Sequence, residues 1–395
     1  MKLFRSLLAA PAALGFISPL ALSASEVNLN DISNYSDVDT IEFANSFGKD
    51  EANEKNLIAG GEGLVNDSSY DGGFSETTTA SFSADMYLGG VDGGTSKEDD
   101  AFMAGYSFQI DLNTSFTGED SLDISIDAGN SGSAGISEFD GNTGGDGLTV
   151  DGVSYTFPIG AKTTAFVGDN TDGSLLFNTA CVYGGPSNTL DDCGNNYSAI
   201  NAGGGTAFGA SYDVGNGFTA AFGYTGEGGA DGLMTDEGDD AMAGQLSYTA
   251  DNYGVSFTMA YKENPTFNYT VDDADVWALN GYYIPSANGF PTISVGYEFA
   301  NSEVPSLSPT STDSEAWFVG LQWDDVWSGT AGLAVGTKQH TADNSTLDDE
   351  LLMYEAFYSY EINDGMTITP LVYSKDFAPG TDDETGLMVK TSFSF

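Results

Sequence analysis

From about Phe74 to the C-terminus, apolar and polar residues alternate with a period of two. Phe82, Ala84, Met86 and Leu88 form one stripe; Phe102, Ala104, Tyr106, Phe108, Ile110 and Leu112 form a second, interleaved with Gly105, Ser107, Gln109 and Asp111. Leu122, Ile124 and Ile126 alternate with Asp123, Ser125 and Asp127, and Tyr253, Val255, Phe257, Met259 and Tyr261 alternate with Gly254, Ser256 and Thr258. A period of two places each apolar set on one face of a strand. The pattern predicts sixteen strands, near 75–88, 101–116, 120–128, 148–157, 161–169, 205–213, 217–225, 240–250, 253–263, 274–284, 290–301, 313–323, 327–338, 348–360, 366–376 and 384–395.

The connections carry further information. Short ones near 118–119, 158–160, 215–216, 251–252, 286–289, 324–325 and 363–365 alternate with long ones near 89–100, 129–147, 170–204, 226–239, 264–273, 302–312, 339–347 and 377–383. A soluble sandwich has no reason for strict alternation. A transmembrane antiparallel β-barrel does, because its periplasmic turns are short and its outer loops long. Closure leaves no unpaired edge facing lipid. The expected fold is therefore an all-β barrel of about sixteen strands, wide enough for its lumen to hold water.

The chain outside 74–395 reads differently. Lys2 and Arg5 precede the apolar stretch Leu7 to Leu22, and Ser23, Ala24 and Ser25 offer a cleavage site, so residues 1–24 read as a signal peptide. Residues 25–73 are polar with little alternation and read as a short periplasmic segment or tether. No later apolar run reaches the ~18 residues of a membrane helix. The formal charge is −49, from 10 Lys+Arg and 59 Asp+Glu. Removing Lys2 and Arg5 leaves 8 − 59 = −51 and no arginine. Such a charge excludes nucleic acid as a partner.

The last strand, Gly386 to Phe395 (GLMVKTSFSF), resembles the terminal strand of Gram-negative outer-membrane proteins, in which an alternating strand ending in Phe is read by the barrel-assembly machinery; Phe393 and Phe395 would carry that signal. Met1 to Tyr35 (MKLFRSLLAAPAALG…NLNDISNYSD) is similar to cyanobacterial outer-membrane porins, relatives of carbohydrate-selective porins. The resemblance implies a porin in the outer membrane of a Gram-negative-type bacterium, a cyanobacterium, in contact with outer-membrane lipid and lipopolysaccharide. It also allows a homotrimer and carbohydrate transport. Tyr35-Ser36-Asp37-Val38 is similar to the start of an S-layer-homology domain, but the segment is too short for the full unit.

The longest connection, 170–204, holds both cysteines, Cys181 and Cys193, which in an exported protein read as one disulfide. A loop this long in a compact protein is usually functional. In porins of this strand count the third outer loop folds into the barrel, and the position of 170–204 resembles that arrangement. It would then carry Asp191 and Asp192 to a pore constriction.

Alternation also assigns Asp85, Asp111, Asp123, Asp127, Asp213, Glu298 and Glu355 to the lumen, with Lys162, Lys262, Lys338 and Lys390 as the positive counterparts. Seven acids against four lysines favour cations. The expected function is passive diffusion of small hydrophilic solutes and inorganic cations, with no cofactor. Acidic clusters such as Glu98-Asp99-Asp100, Asp236-Glu237 and Asp382-Asp383-Glu384 would form a negative outer rim able to attract Ca²⁺ or Mg²⁺. An exported, acidic, calcium-dependent surface or adhesion protein of soluble β architecture is the alternative. Catalysis is not expected, since His340 is the sole histidine.

Overall fold

The computed structural model describes residues 78–94, 101–194, 205–229, 232–235, 238–263, 272–287, 289–303, 311–338, 340–342, 350–378 and 380–395. The signal peptide expected at 1–24, the segment at 25–73, and the acidic clusters at 98–100 and 236–237 lie outside them. The strands are β1 (Thr78–Asp92), β2 (Met103–Thr114), β3 (Ser121–Gly129), β4 (Gly145–Ile159), β5 (Thr163–Asp169), β6 (Thr206–Gly215), β7 (Phe218–Gly226), β8 (Asp240–Thr249) and β9 (Tyr253–Glu263). They continue as β10 (Asp273–Tyr283), β11 (Thr292–Glu303), β12 (Ser311–Val326), β13 (Gly329–Thr337), β14 (Thr341–Ala342), β15 (Leu352–Asn363), β16 (Met366–Lys375) and β17 (Glu384–Ser394).

Apart from β13 and β14, each strand pairs antiparallel with its sequence neighbours, β13 bridges β12 and β15, and β17 returns to β1, from Ser83 opposite Ser394 to Asp92 opposite Thr385. The two-residue β14 pairs with β12 beyond the end of β13, so β13 and β14 act as one stave in two pieces. The result is a closed barrel of sixteen staves, as the alternation predicts. Connections at 216–217, 327–328 and 364–365 are two-residue turns, all at the end where the chain closes on Phe395. The connection at 284–291 is longer than the others at that end.

Burial is inverted relative to a water-soluble protein. On β9, Tyr253, Val255, Phe257 and Met259 are exposed, whereas Ser256, Thr258 and Lys262 are buried. The same inversion recurs on β8, where Met242 and Leu246 are exposed and Gln245 and Ser247 buried. In water this face would present a continuous hydrocarbon band, which a soluble adhesion protein would not tolerate. In lipid it is the favourable arrangement, with every strand hydrogen-bonded to two neighbours.

Aromatic rings gather at the short-turn end. Phe82 stacks on Phe395 at 5.8 Å across the β1–β17 seam, and Tyr155 stacks on Phe157 at 5.4 Å. Phe218, Tyr248 and Tyr253 form a further chain of ring contacts there. Such rings suit the level of lipid headgroups. Phe393 and Phe395 follow the outward parity of β17, and Phe395 exchanges backbone hydrogen bonds with Phe82 at 3.0 and 3.1 Å.

Two connections lie against the inner wall of the barrel. A 3₁₀ helix, Ala134–Phe139, lies in the β3–β4 connection, where no element was expected. Its Ile136 and Phe139 pack in one buried cluster with Tyr183, Leu190 and Cys193 of the β5–β6 connection and with Phe318, Met353, Phe357, Leu371, Tyr373 and Met388 of the wall. Those wall residues sit at inward positions, so β12, β15, β16 and β17 carry large apolar side chains on both faces. Sixteen staves enclose more space than side chains alone fill; here two connections fill part of it.

Candidate functional site

The described part of the long connection, 170–194, runs across the inner wall. Its backbone N–H groups donate to inward side chains on successive strands: Gly173 to Thr225 Oγ1 on β7 (2.6 Å), Asn178 to Gln245 Oε1 on β8 (2.6 Å) and Ala180 to Ser256 Oγ on β9 (2.8 Å). Val182 donates to Ser294 Oγ on β11 (3.2 Å) and Gly184 to Gln322 Oε1 on β12 (2.9 Å). On β10, Asn280 Nδ2 donates to the Cys193 carbonyl (3.3 Å), and the Tyr183 hydroxyl donates to Glu355 Oε1 on β15 (2.5 Å). A backbone buried away from water needs partners for its polar groups, and alternate residues of this segment find them on the wall.

The wall is shaped to receive it. On β11 a Cβ at Gly296 would collide with the Cys193 carbonyl, and on β7 a Cβ at Gly223 would collide with the Gly173 carbonyl. Only glycine permits so close an approach of two backbones. Gly296→Val is therefore expected to lift the 190s off the wall, read as new protease cleavage within the connection of the folded, detergent-solubilised protein. An uncut variant would mean that the loop holds its seat without that approach.

Cys181 and Cys193 form the expected disulfide, with Cα atoms 6.2 Å apart. The bridge draws the second half of the segment back over the first. Its far end meets the 3₁₀ helix, where Asn188 N–H donates to the Glu138 carbonyl (2.8 Å) and Thr189 Oγ1 to Glu138 Oε2 (2.9 Å). Glu138 is also ion-paired with Lys375 on β16. Connection and helix thus cover the inner face from β7 round to β1 and the Met103–Ser107 end of β2, and leave the rest of β2 with β3 and β4 as the bare sector.

Asp191 and Asp192 keep contact with water, but the protein around them disfavours their charged forms. Removal from bulk water pushes Asp191 up to about 7, with repulsion from Asp192 and Asp140 adding to it. Asp192 is raised for the same first reason, with repulsion from Asp172, Glu298 and Asp140. Asp172 is likewise raised by burial.

The other residues assigned to the lumen do not share one environment. Asp85, Asp111, Asp123 and Asp127 lie on inward positions of the bare sector or its edge. Asp111 accepts from Gln109 Nε2 and Ser125 Oγ (both 2.7 Å), Asp123 from Ser121 Oγ (2.7 Å) and Asn113 Nδ2 (2.5 Å), and Asp127 from Thr149 Oγ1 (2.8 Å). Neutral donors orient these carboxylates, and among the described residues none of them is within 4.0 Å of a cationic group.

Glu298, Glu355 and Lys262 point inward but are covered, with exposures of 0%, 3% and 8%. Glu298 accepts from His340 Nε2 at 2.7 Å, and Glu355 from Tyr183. The alternation could not reveal that the connection lies over them. Asp213 and Lys162 belong instead to the strand ends. Asp213 accepts from the Gly215 N–H (2.8 Å) in the β6–β7 turn, while the exposed Lys162 lies between β4 and β5, its Nζ 5.8 Å from the Tyr212 ring. Lys338 sits with its Nζ 3.4 Å from the Phe377 ring centre and donates to the Asp376 carbonyl (3.2 Å). Lys390 alone of the four stands at the edge of the bare sector, 5.7 Å from the Phe139 ring.

Sequence reasoning missed Gln245, Ser256, Ser294 and Gln322, which seat the connection, and Glu138 and Lys375, which join it to the helix and β16. A signal was present. Inward positions on β8 to β12 are mostly small and uncharged (Ala241, Ala243, Ala260, Ala274, Ala278, Ala300, Ser314, Ala316), whereas those on β2 and β3 include repeated aspartates. Among the described residues no group of three or more His, Cys, Asp or Glu is placed to hold a metal ion.

Comparison of the fold with solved structures finds bacterial outer-membrane porins. The chain resembles Pseudomonas putida OprB at 12% identity and a TM-score of 0.55, covering 81% of this chain and 94% of the other. It resembles the anion-selective porin of Comamonas acidovorans at 12% identity and a TM-score of 0.56, covering 81% and 99%. It resembles Salmonella typhi OmpF, solved with daunomycin, at 13% identity and a TM-score of 0.52, covering 80% and 97%. No protein-family model matches the chain, and no curated protein does. The fold is that of the bacterial outer-membrane porins.

Proposed function

We propose that this protein is an outer-membrane diffusion channel of a Gram-negative-type bacterium, narrowed by 170–194 and preferring inorganic cations among the small hydrophilic solutes it passes. The observation that carries the reading is the uneven inner wall of an inside-out barrel. One side is sealed by the connection and the 3₁₀ helix, and the bare side is lined by Asp111, Asp123 and Asp127. Of the four lysines expected to balance them, Lys262 is covered, Lys162 is in a turn and Lys338 is engaged with Phe377, which leaves Lys390 alone at the sector's edge. Negative charge along a confined aqueous path concentrates cations and repels anions. The same fold serves an anion-selective porin, so selectivity is argued from the lining and not from the likeness.

The test is single-channel recording from the refolded mature protein in a planar bilayer, with the reversal potential measured across a KCl gradient. Ohmic steps and a potassium-selective potential are expected. A chloride-selective potential would overturn the charge argument, and folded protein with no conductance would overturn the channel. The preference should also depend on pH. Asp191 ionises near 7, well above the ordinary ~3.9 for aspartate. It is therefore mostly charged above that value and mostly protonated below it. Potassium selectivity is expected to fall as the pH drops through about 7, and Asp191→Asn should remove that step; an unchanged titration in the variant would assign it elsewhere.

A further inference from the structure

A cavity of about 200 Å³ opens at the edge of the bare sector, between β1, β2, β17 and residues 139–142. We propose that it is a transit site for a small zwitterion, an α-amino acid, whose ammonium group is held by Asp85 and Asp140 and whose carboxylate is held by Lys390. The inference rests on the channel reading and names one class of solute for it.

The lining argues for this class in three ways. First, it carries both signs of charge. Asp85, Asp140 and Lys390 all border the cavity, and among the described residues Lys390 is not within 4.0 Å of a carboxylate. A bare cation would be repelled by Lys390 and a bare anion by the two aspartates, while a zwitterion satisfies all three. Second, the aromatic surface a sugar would stack on is already occupied. Phe139 is 5% exposed, its ring lies 5.7 Å from that of Tyr87, and Lys390 Nζ stands 5.7 Å from its centre. Third, the volume lies below the ~300–1,000 Å³ of sites for drug-sized ligands.

The site is also held in shape. Asp140 has φ +46°, a left-handed conformation that non-glycine residues adopt at a cost, and its N–H closes the 3₁₀ helix on the Ser137 carbonyl (3.1 Å). The following Gly141 lies so close to the wall that a Cβ would fall 2.7 Å from Tyr87 Cε2 and 2.8 Å from Ser107 Oγ. Asn142 N–H then donates to Ser107 Oγ (2.7 Å). Backbone packing and strain of this kind present Asp140 at a fixed place. A channel site must bind well enough to be entered and weakly enough to be left, and one water-accessible pocket beside the path fits that demand.

The experiment is uptake by proteoliposomes containing the full mature chain, with labelled alanine as the zwitterion and glycerol as a neutral solute of similar size. Alanine uptake is expected to saturate with concentration and glycerol uptake to stay linear. Lys390→Met, and separately the pair Asp85→Asn with Asp140→Asn, should each make alanine uptake linear and lower the alanine-to-glycerol ratio several-fold. Gly141→Ala should do the same with every charge intact. Loss of saturation in the aspartate pair but not in Lys390→Met would mean a cation site and overturn the proposal. Glycerol passage with linear alanine uptake in the unaltered protein would sink this inference alone. Failure of glycerol to enter would sink the channel reading and this one with it.

Discussion

Replacing residues 174–194 by a short Gly–Ser link is expected to raise single-channel conductance several-fold. The excised segment is the layer seated on β8 to β15 by hydrogen bonds to Gln245, Ser256, Asn280, Ser294, Gln322 and Glu355. Without it the aqueous path would extend to the inner faces of those strands, and Lys262, Glu298 and Glu355 would meet water. The same change should weaken potassium selectivity, because the uncovered Glu298 and Glu355 only replace the lost Asp191 and Asp192 while Lys262 adds a positive charge. The excision also strips cover from Phe318, Met353 and Phe357, so the variant barrel should unfold at lower denaturant. An unchanged conductance from a folded variant would show that the segment lies outside the conducting path. Lower stability with unchanged conductance would leave it a structural brace only.

Glu298→Ala is expected to cost about 3–5 kcal/mol of stability, the usual penalty for removing one partner of a buried charged or charge-assisted pair. His340 Nε2 meets Glu298 Oε1 at 2.7 Å with both side chains 0% exposed, and its Nδ1 lies 2.9 Å from Ser314 Oγ. The assignment that satisfies both contacts has Nε2–H donating to the carboxylate and Nδ1 accepting from the serine hydroxyl. This histidine follows β13 where the strand ladder breaks before β14, and ties that break to β11 and β12. Truncating Glu298 would leave a buried imidazole N–H without that acceptor. Glu298→Gln keeps an acceptor and should cost less. Replacing both partners, Glu298→Met with His340→Leu, should recover part of the loss, since the apolar pair leaves only the Ser314 hydroxyl without its partner. Denaturant unfolding in detergent micelles, read by heat-modifiable gel migration, compares the three. If all three variants are equally destabilised, packing volume and not the polar link holds the break together.

The inversion of burial makes such pairs informative. In this barrel the largest exposed side chains are apolar and face lipid, so ordinary substitutions on the outside change little that water would sense. Stability that depends on polar partners is concentrated inside, along the contact between one connection and the wall. The zwitterion site and the cation path occupy the remaining inner surface, so folding and transport draw on neighbouring residues with different demands: one needs polar groups satisfied by protein, the other needs them left to solvent.

How much of this could be read from the residues varies by element. The stripes at Phe82–Leu88, Phe102–Leu112 and Tyr253–Tyr261 became β1, β2 and β9, because a period of two is a local property of the backbone. The turn expected at 215–216 was legible to within one residue for the same local reason, since it falls at 216–217 with Asn216 and Gly217 both at positive φ. The 3₁₀ helix at Ala134–Phe139 was not, since six residues without a repeating apolar face give no period to detect. The fate of Glu298 was hidden as well: its parity was right, but its cover comes from a segment more than a hundred positions away.

The sequence by itself therefore determined the number of staves, the face each residue presents, the closure of the barrel and the excess of negative charge. All of these follow from alternation and composition, which neighbouring residues settle between themselves. Only the tertiary structure decided which half of the inner wall is sealed. That choice is made by backbone N–H groups of residues 173–184 finding acceptors 52 to 138 positions along the chain, from Thr225 to Gln322. No local pattern encodes such partners, because the requirement is only that each buried polar group be satisfied, and it can be met by any strand that closure brings within reach.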